Sequence, residues 1–246
     1  MTLKSFLLGM CLSFGSAWMF VIAIPTAKMN NLAPVKMNNE EDAALYQHKV
    51  SGRIRNGAEI YASNGCYACH TQLIRPTYAG HQIWRDDMAG VVDKAEQIDT
   101  RRETTVYDYT GEEYAQIGLM RMGPDLSNLA YRVEKYAALT KLTPEQWLVE
   151  HLFNPRNNDL RIGKGGEKLN MSWSNCPSQR YMFDKTPVSG QGDSLALRKK
   201  TKRGEQFVPK EEARVLVSYL MSLRRDDAVP LSMDNRPPEV KEEEKK

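Results

Sequence analysis

The chain has little net charge, few cysteines and no charged residue between Ser5 and Ile24, and each absence narrows what it can be. Lys and Arg number 34 against 31 Asp and Glu in 246 residues, so the formal net charge is +3. That is too small to imply a nucleic-acid partner, whose phosphates are met by strongly basic surfaces. The four cysteines are Cys11, Cys66, Cys69 and Cys176, and no second Cys/His pair completes the four ligands of a structural zinc site. A thioredoxin-type centre needs a strand inside a βαβ pattern before its CxxC, yet the stretch leading into Cys66 has helical spacing.

What is present is Cys66-Tyr67-Ala68-Cys69-His70, the CxxCH spacing of covalent haem c attachment. Two thiols add across the two vinyl groups of one porphyrin edge, and the adjacent imidazole then lies beneath the iron. His70 is therefore expected to ligate iron through one ring nitrogen while the other is held by a hydrogen bond. One covalent haem c is expected.

The uncharged run from Ser5 to Ile24 is apolar almost throughout. About twenty residues at 1.5 Å each span a hydrocarbon core of roughly 30 Å. A cleaved signal peptide has a shorter apolar core and a small-residue cleavage site; Ile24-Pro25-Thr26-Ala27-Lys28 lacks the small residue three before the cut, and Met10 precedes Cys11 where a lipoprotein would carry a small one. An uncleaved anchor is the favoured reading. Lys4 before the run and Lys28 and Lys36 after it do not settle orientation. Haem c is attached outside the cytoplasm, which puts everything after the anchor on the periplasmic side and makes buried packing the expected role of Cys176.

Residues 29–48 are polar and without apolar period, as expected of a linker. Ile54, Gly57, Ala58 and Tyr61 then recur at i, i+3, i+4 and i+7, predicting a helix over 49–64 that Gly65 ends. A second helix is predicted from Thr143-Pro144-Glu145-Gln146, a capping box with proline in the first turn, to Asn154-Pro155. A third follows Pro209, with Glu211 and Glu212 at its amino end and Ala213, Leu216, Val217 and Leu220 as its buried stripe. Helix before haem, middle helix and terminal helix resemble, in order, the class I cytochrome c fold.

The run from Cys66 to Pro76, CYACHTQLIRP, resembles more narrowly the mono-haem cytochrome c subunit of C-family, cbb-type haem-copper oxidases. Gly123-Pro124-Asp125-Leu126 is similar to that family's GPDL element, and Trp147 to Arg156, WLVEHLFNPR, to its later helix ending in NPR. The resemblance implies a mostly α protein: a single N-terminal transmembrane helix followed by a class I cytochrome c-like domain with long loop insertions. The expected divisions are an anchor at 1–28, a linker at 29–48, the mono-haem domain at 49–225 and a polar tail at 226–246, whose closing Glu242 to Lys246 read as disordered.

By the same resemblance Pro124 presents its carbonyl to the second nitrogen of His70. Arg75 is a candidate partner of a haem propionate or a neighbouring subunit, with a surface ion pair as the alternative. Trp147 packs either near the haem edge or simply in the core. The sixth ligand is expected at Met171, within Leu169-Asn170-Met171-Ser172, although the family's following proline is absent and an insertion over 157–168 intervenes. Met120, Met122, Met182 and a histidine stay open. His151 reads as a core or propionate-side histidine, and His48 and His81 as exposed. The polar stretches 78–118 and 163–206, with Arg101-Arg102 and Arg198-Lys199-Lys200, read as solvated loops or as surfaces that cover a partner.

The function this implies is an electron-transfer subunit, not itself catalytic, that passes single electrons toward a multi-span oxidase subunit alongside other cytochrome c subunits. It would sit in the lipid of a bacterial inner membrane by a single pass with its haem domain in the periplasm. The cytochrome subunit of a nitric oxide reductase or quinol-oxidising complex is the nearest alternative, which the Thr71-Gln72 to Arg75-Pro76 run disfavours. A free-standing haem enzyme or sensor is the third.

Overall fold

The computed structural model describes residues 2–31, 50–75, 92–93, 98–109, 112–163, 166–199 and 201–226. The chain divides into two compact units, 1–47 and 48–246.

In the first unit α1 (Leu3–Trp18) starts at Thr2, whose hydroxyl accepts the Ser5 N–H. It continues through a π-helical turn, Met19–Ala23, into α2 (Ile24–Asn30). The cause of the π turn is Pro25, which has no N–H to give to the carbonyl four residues back and whose ring would collide with it. The ladder slips by one there, and Ile24 N–H bonds the Met19 carbonyl. The combined helix Leu3–Asn30, with mean hydropathy 2.0 and none of its side chains buried, is long and apolar enough to cross a membrane. It runs past residue 28; residues 32–49, with His48, lie outside the described residues, as do His81 and the tail from 227 onward.

Among the described residues of the second unit, helices carry more of the chain than strands. Helix α3 (Gly52–Ser63) is capped by Ser51, which is why it starts inside the predicted range. Two short strands, β1 (Val92–Asp93) and β2 (Ile98–Asp99), pair antiparallel. Helix α4 (Leu129–Thr140) follows, then α5 (Pro144–Phe153), where Thr143 and Gln146 form the reciprocal capping box. Strands β3 (Phe183–Pro187) and β4 (Glu205–Pro209) make an antiparallel ribbon in which Phe183 faces Pro209 and Pro187 faces Glu205. Helix α6 (Glu211–Met221) closes the unit and buries Ala213, Leu216, Val217 and Leu220, the predicted stripe.

Helices α3 and α6 cross at Gly57. A Cβ there would lie 2.4 Å from Tyr219 Cβ and 2.7 Å from the Val215 carbonyl oxygen, so the close approach depends on glycine. One turn on, the Tyr61 and Tyr219 rings are 5.6 Å apart. Leu129 and Val133 from α4, Trp147, Leu148 and Leu152 from α5, and Leu216 and Leu220 from α6 join them in one apolar core.

Three expectations are corrected. Helix α4 was not foreseen, although Leu129, Ala130, Val133 and Ala137 carry its buried face. The 163–206 stretch is not only solvated loop: Met182, Phe183 and Leu197 enter the core, and Lys185 and Arg198 pair with Glu205 and Glu150. Arg102 is not on the surface but is buried with Asp108 as its ion-pair partner at 2.5 Å.

Candidate functional site

The CxxCH segment is shaped by the end of α3. Gly65 takes a left-handed conformation (φ 68°), and Cys66–Ala68 form one 3-10 turn. His70 and Cys69 both donate to the Cys66 carbonyl, at 3.0 and 3.2 Å. Cys66 and Cys69 are free thiols. Burial pushes the Cys66 thiol up to about 11, with the nearby Cys176 adding to the shift. Burial likewise raises Cys176, with Cys69 as the next cause, so the half-buried Cys176 shares this neighbourhood.

His70 is held from one side only. Its Nδ1 lies 2.8 Å from the Pro124 carbonyl oxygen, so the proton belongs on Nδ1 and the lone pair on Nε2, the form that ligates a metal. Burial lowers the ring's pKa, which keeps it neutral near pH 7. Gly123 lies against the ring: a Cβ there would come within 2.2 Å of His70 Cε1. A Cβ on Gly118, at φ 89°, would come as close to the His70 carbonyl oxygen. Residues 117–126 run alongside 67–72, with Leu119 donating to Tyr67, Gln72 to Ile117, Gly123 to Cys69 and Leu126 to Thr71.

Thr71 and Gln72 are buried by specific partners. Thr71 Oγ1 donates to Asp125 Oδ2 at 2.6 Å, and the same oxygen accepts Leu73 N–H at 2.9 Å. Gln72 donates to the Tyr219 hydroxyl at 2.8 Å, accepts Arg225 at 3.2 Å on its side chain, and receives the Tyr109 hydroxyl on its carbonyl at 2.5 Å. The segment after His70 is thereby stapled to both the 123–127 turn and the end of α6.

The remaining predicted site residues are placed unequally. Met171 is buried, receives no place in the main apolar core, and is fixed by its N–H donating to Asn158 Oδ1 at 2.8 Å. Met182 is fully buried within that core, whereas Met120 and Met122 are 51% and 57% exposed. Trp147 is buried in the core and donates to the Leu160 carbonyl at 2.9 Å. Its ring stacks on His151 at 5.2 Å and meets Tyr136 at 5.3 Å. His151 is half-buried beside it, and burial, then the charges of His70 and Arg161, push its pKa down to about 4. Arg75 is exposed at the end of a described stretch.

Sequence reasoning missed Gly123, Asp125, Arg132 and Gly118. The first two were in view as part of GPDL, but which of its residues touch the imidazole depends on a chain reversal that no local spacing encodes. Among the described residues no group of three or more His, Cys, Asp or Glu is placed to hold a metal ion. A cavity of about 720 Å³ lies between α3, residues 112–116 and the end of α6, lined by Ile54, Ala58, Tyr114 and Tyr219 and away from His70. No protein-family model matches the chain, and no curated protein matches it.

Proposed function

We propose that the second unit is a class I, mono-haem cytochrome c domain, and that the chain relays electrons within a respiratory complex to the catalytic subunit of a cbb-type terminal oxidase. The observation that carries this is the His70–Pro124 contact at 2.8 Å within a CxxCH sequence. It supplies what an axial imidazole needs: a fixed tautomer, a fixed ring plane and added basicity. Gly123 against the ring and the free thiols of Cys66 and Cys69 agree with it. The Gly57 crossing of the first and last helices of the unit supports the class I reading.

Haem c, when bound, supplies a one-electron ferric/ferrous couple. Cys66 and Cys69 would hold it through thioethers, His70 would ligate through Nε2, and the buried Met171 is the candidate for the opposite position. The Leu3–Asn30 helix would tether the unit to the membrane, with the haem domain on the periplasmic side. The cbb-type assignment rests on the CHTQLIRP tail, whose Thr71 and Gln72 are the residues stapled to Asp125 and Tyr219.

The test is expression of the full chain with a cytochrome c maturation system, followed by haem staining on a denaturing gel. A band that keeps haem after denaturation is expected, and its absence would sink the reading. Purification in mild detergent should then recover a multi-span subunit carrying b-type haem; recovery with a different catalytic subunit would replace the oxidase assignment while leaving the cytochrome.

A further inference from the structure

Beside the His70–Pro124 contact lie two buried residues of opposite charge type. Asp125 is fully buried, and Arg132 is 2% exposed. The Asp125 carboxylate accepts three hydrogen bonds: Thr71 Oγ1 and Leu73 N–H on Oδ2, and Ser127 N–H at 2.8 Å on Oδ1. Arg132 reaches the same residue from α4, its Nη2 donating to the Asp125 carbonyl oxygen at 2.6 Å. Asp125 directly follows Pro124, so one residue both pins the turn that aims the Pro124 carbonyl and places a negative charge beside the ligand. Asp125 is joined to the ligand on both sides: its chain neighbour Pro124 accepts from the His70 ring, and Thr71, next in the chain after His70, donates to its carboxylate.

We propose that Asp125 and Arg132 are positioning residues that set the ferric/ferrous balance at His70, the buried carboxylate favouring the oxidised iron and the buried guanidinium the reduced one. This rests on the cytochrome reading above. An anion near the iron stabilises its higher charge state, and a cation destabilises it. A buried charge acting through an effective dielectric near 20 changes such an equilibrium by about tenfold at distances of roughly 10 Å.

The test is redox titration of the full chain in detergent, with covalent haem checked on the same samples. Asp125→Asn keeps the shape and removes the charge. At the wild-type midpoint it should shift the ferrous-to-ferric ratio about tenfold toward ferrous, or 59 mV upward for one electron. Loosening of the turn would weaken the His70–Pro124 bond and also favour ferrous iron, so Arg132→Gln, where loss of charge alone favours ferric iron, separates charge from structure. An Asp125→Asn variant with attached haem and an unchanged or lowered midpoint overturns the proposal. If that variant fails to mature, Arg132 decides: Arg132→Gln should lower the midpoint and Arg132→Lys should restore it. Equal shifts in both, or none in Arg132→Gln, overturn the proposal. A wild-type chain without covalent haem removes the cytochrome reading and this one with it, whereas haem attachment with the wrong shifts removes this one alone.

Discussion

His70 and Pro124, 54 residues apart in sequence, meet through one hydrogen bond of 2.8 Å from the imidazole to a backbone carbonyl. Because the acceptor is a carbonyl, the side chain at 124 matters less than the turn around it. That turn is made possible by Gly123 and secured by Asp125. A substitution that leaves every predicted ligand intact can therefore disable the ligand.

Gly123→Ala is the sharpest case. The added methyl would overlap the His70 ring at 2.2 Å from Cε1, and the ring or the turn must move. A loss of about 1–3 kcal/mol is expected from overpacking, together with a changed Soret spectrum in haem-loaded protein. A wild-type spectrum and melting temperature would show that the ring is not held against this glycine.

Gly57→Ala tests the helix crossing by its sign. In an unobstructed helix this change stabilises by roughly 0.5–1 kcal/mol. Here the new Cβ meets Tyr219 Cβ at 2.4 Å, and a destabilisation of about 1–3 kcal/mol is expected in urea unfolding. A gain in stability would mean that α3 and α6 are farther apart.

Met171→Ala and Met182→Ala should separate ligand from core. Met171→Ala is expected to abolish the weak near-infrared sulfur-to-iron band. Met182, fully buried in the core, should cost about 2–5 kcal/mol when truncated and leave the band in place. The reverse pattern would move the sixth ligand to Met182.

The Arg102–Asp108 pair predicts an asymmetry. Asp108 accepts from both terminal guanidinium nitrogens of Arg102, at 2.5 and 3.2 Å, with both side chains almost wholly buried. Asp108→Ala leaves a buried cation and should cost about 3–5 kcal/mol, while an apolar pair of similar volume at both positions should cost much less. Denaturant unfolding of the single and double variants measures the difference.

His151 predicts a pH dependence. Its folded pKa is depressed to about 4 from 6.5, so below pH 6.5 the unfolded chain binds the extra proton. This residue's contribution is full above pH 6.5 and declines as pH falls toward 4, by about 1–3 kcal/mol in all. His151→Phe should flatten the fall in urea midpoint between pH 7 and 4.5 relative to wild type. Parallel curves would show that His151 is not desolvated in the native state.

Helices with their own punctuation were legible in advance. Gly65 follows the end of α3, the Thr143–Gln146 box opens α5, and the acidic start of α6 follows Pro209. Helix α4 escaped because Asn128, at its cap position, makes no side-chain cap bond; its amide bonds the Thr100 carbonyl and accepts the Arg225 N–H instead. The ribbon of β3 and β4 escaped because its partner strands are separated by a basic loop, and pairing across such a gap leaves no periodic trace in either strand.

The amino-acid sequence alone determined the apolar span, the CxxCH spacing, the end of α3 and the starts of α5 and α6, because each depends on residues within a turn or two of one another. Tertiary structure decided which buried polar groups meet: His70 with Pro124, Thr71 with Asp125, Gln72 with Tyr219, Arg102 with Asp108. Three of these four pairs join segments more than fifty residues apart. A buried charge or amide is tolerated only where the fold brings it a partner, and that partner has no fixed offset in the chain.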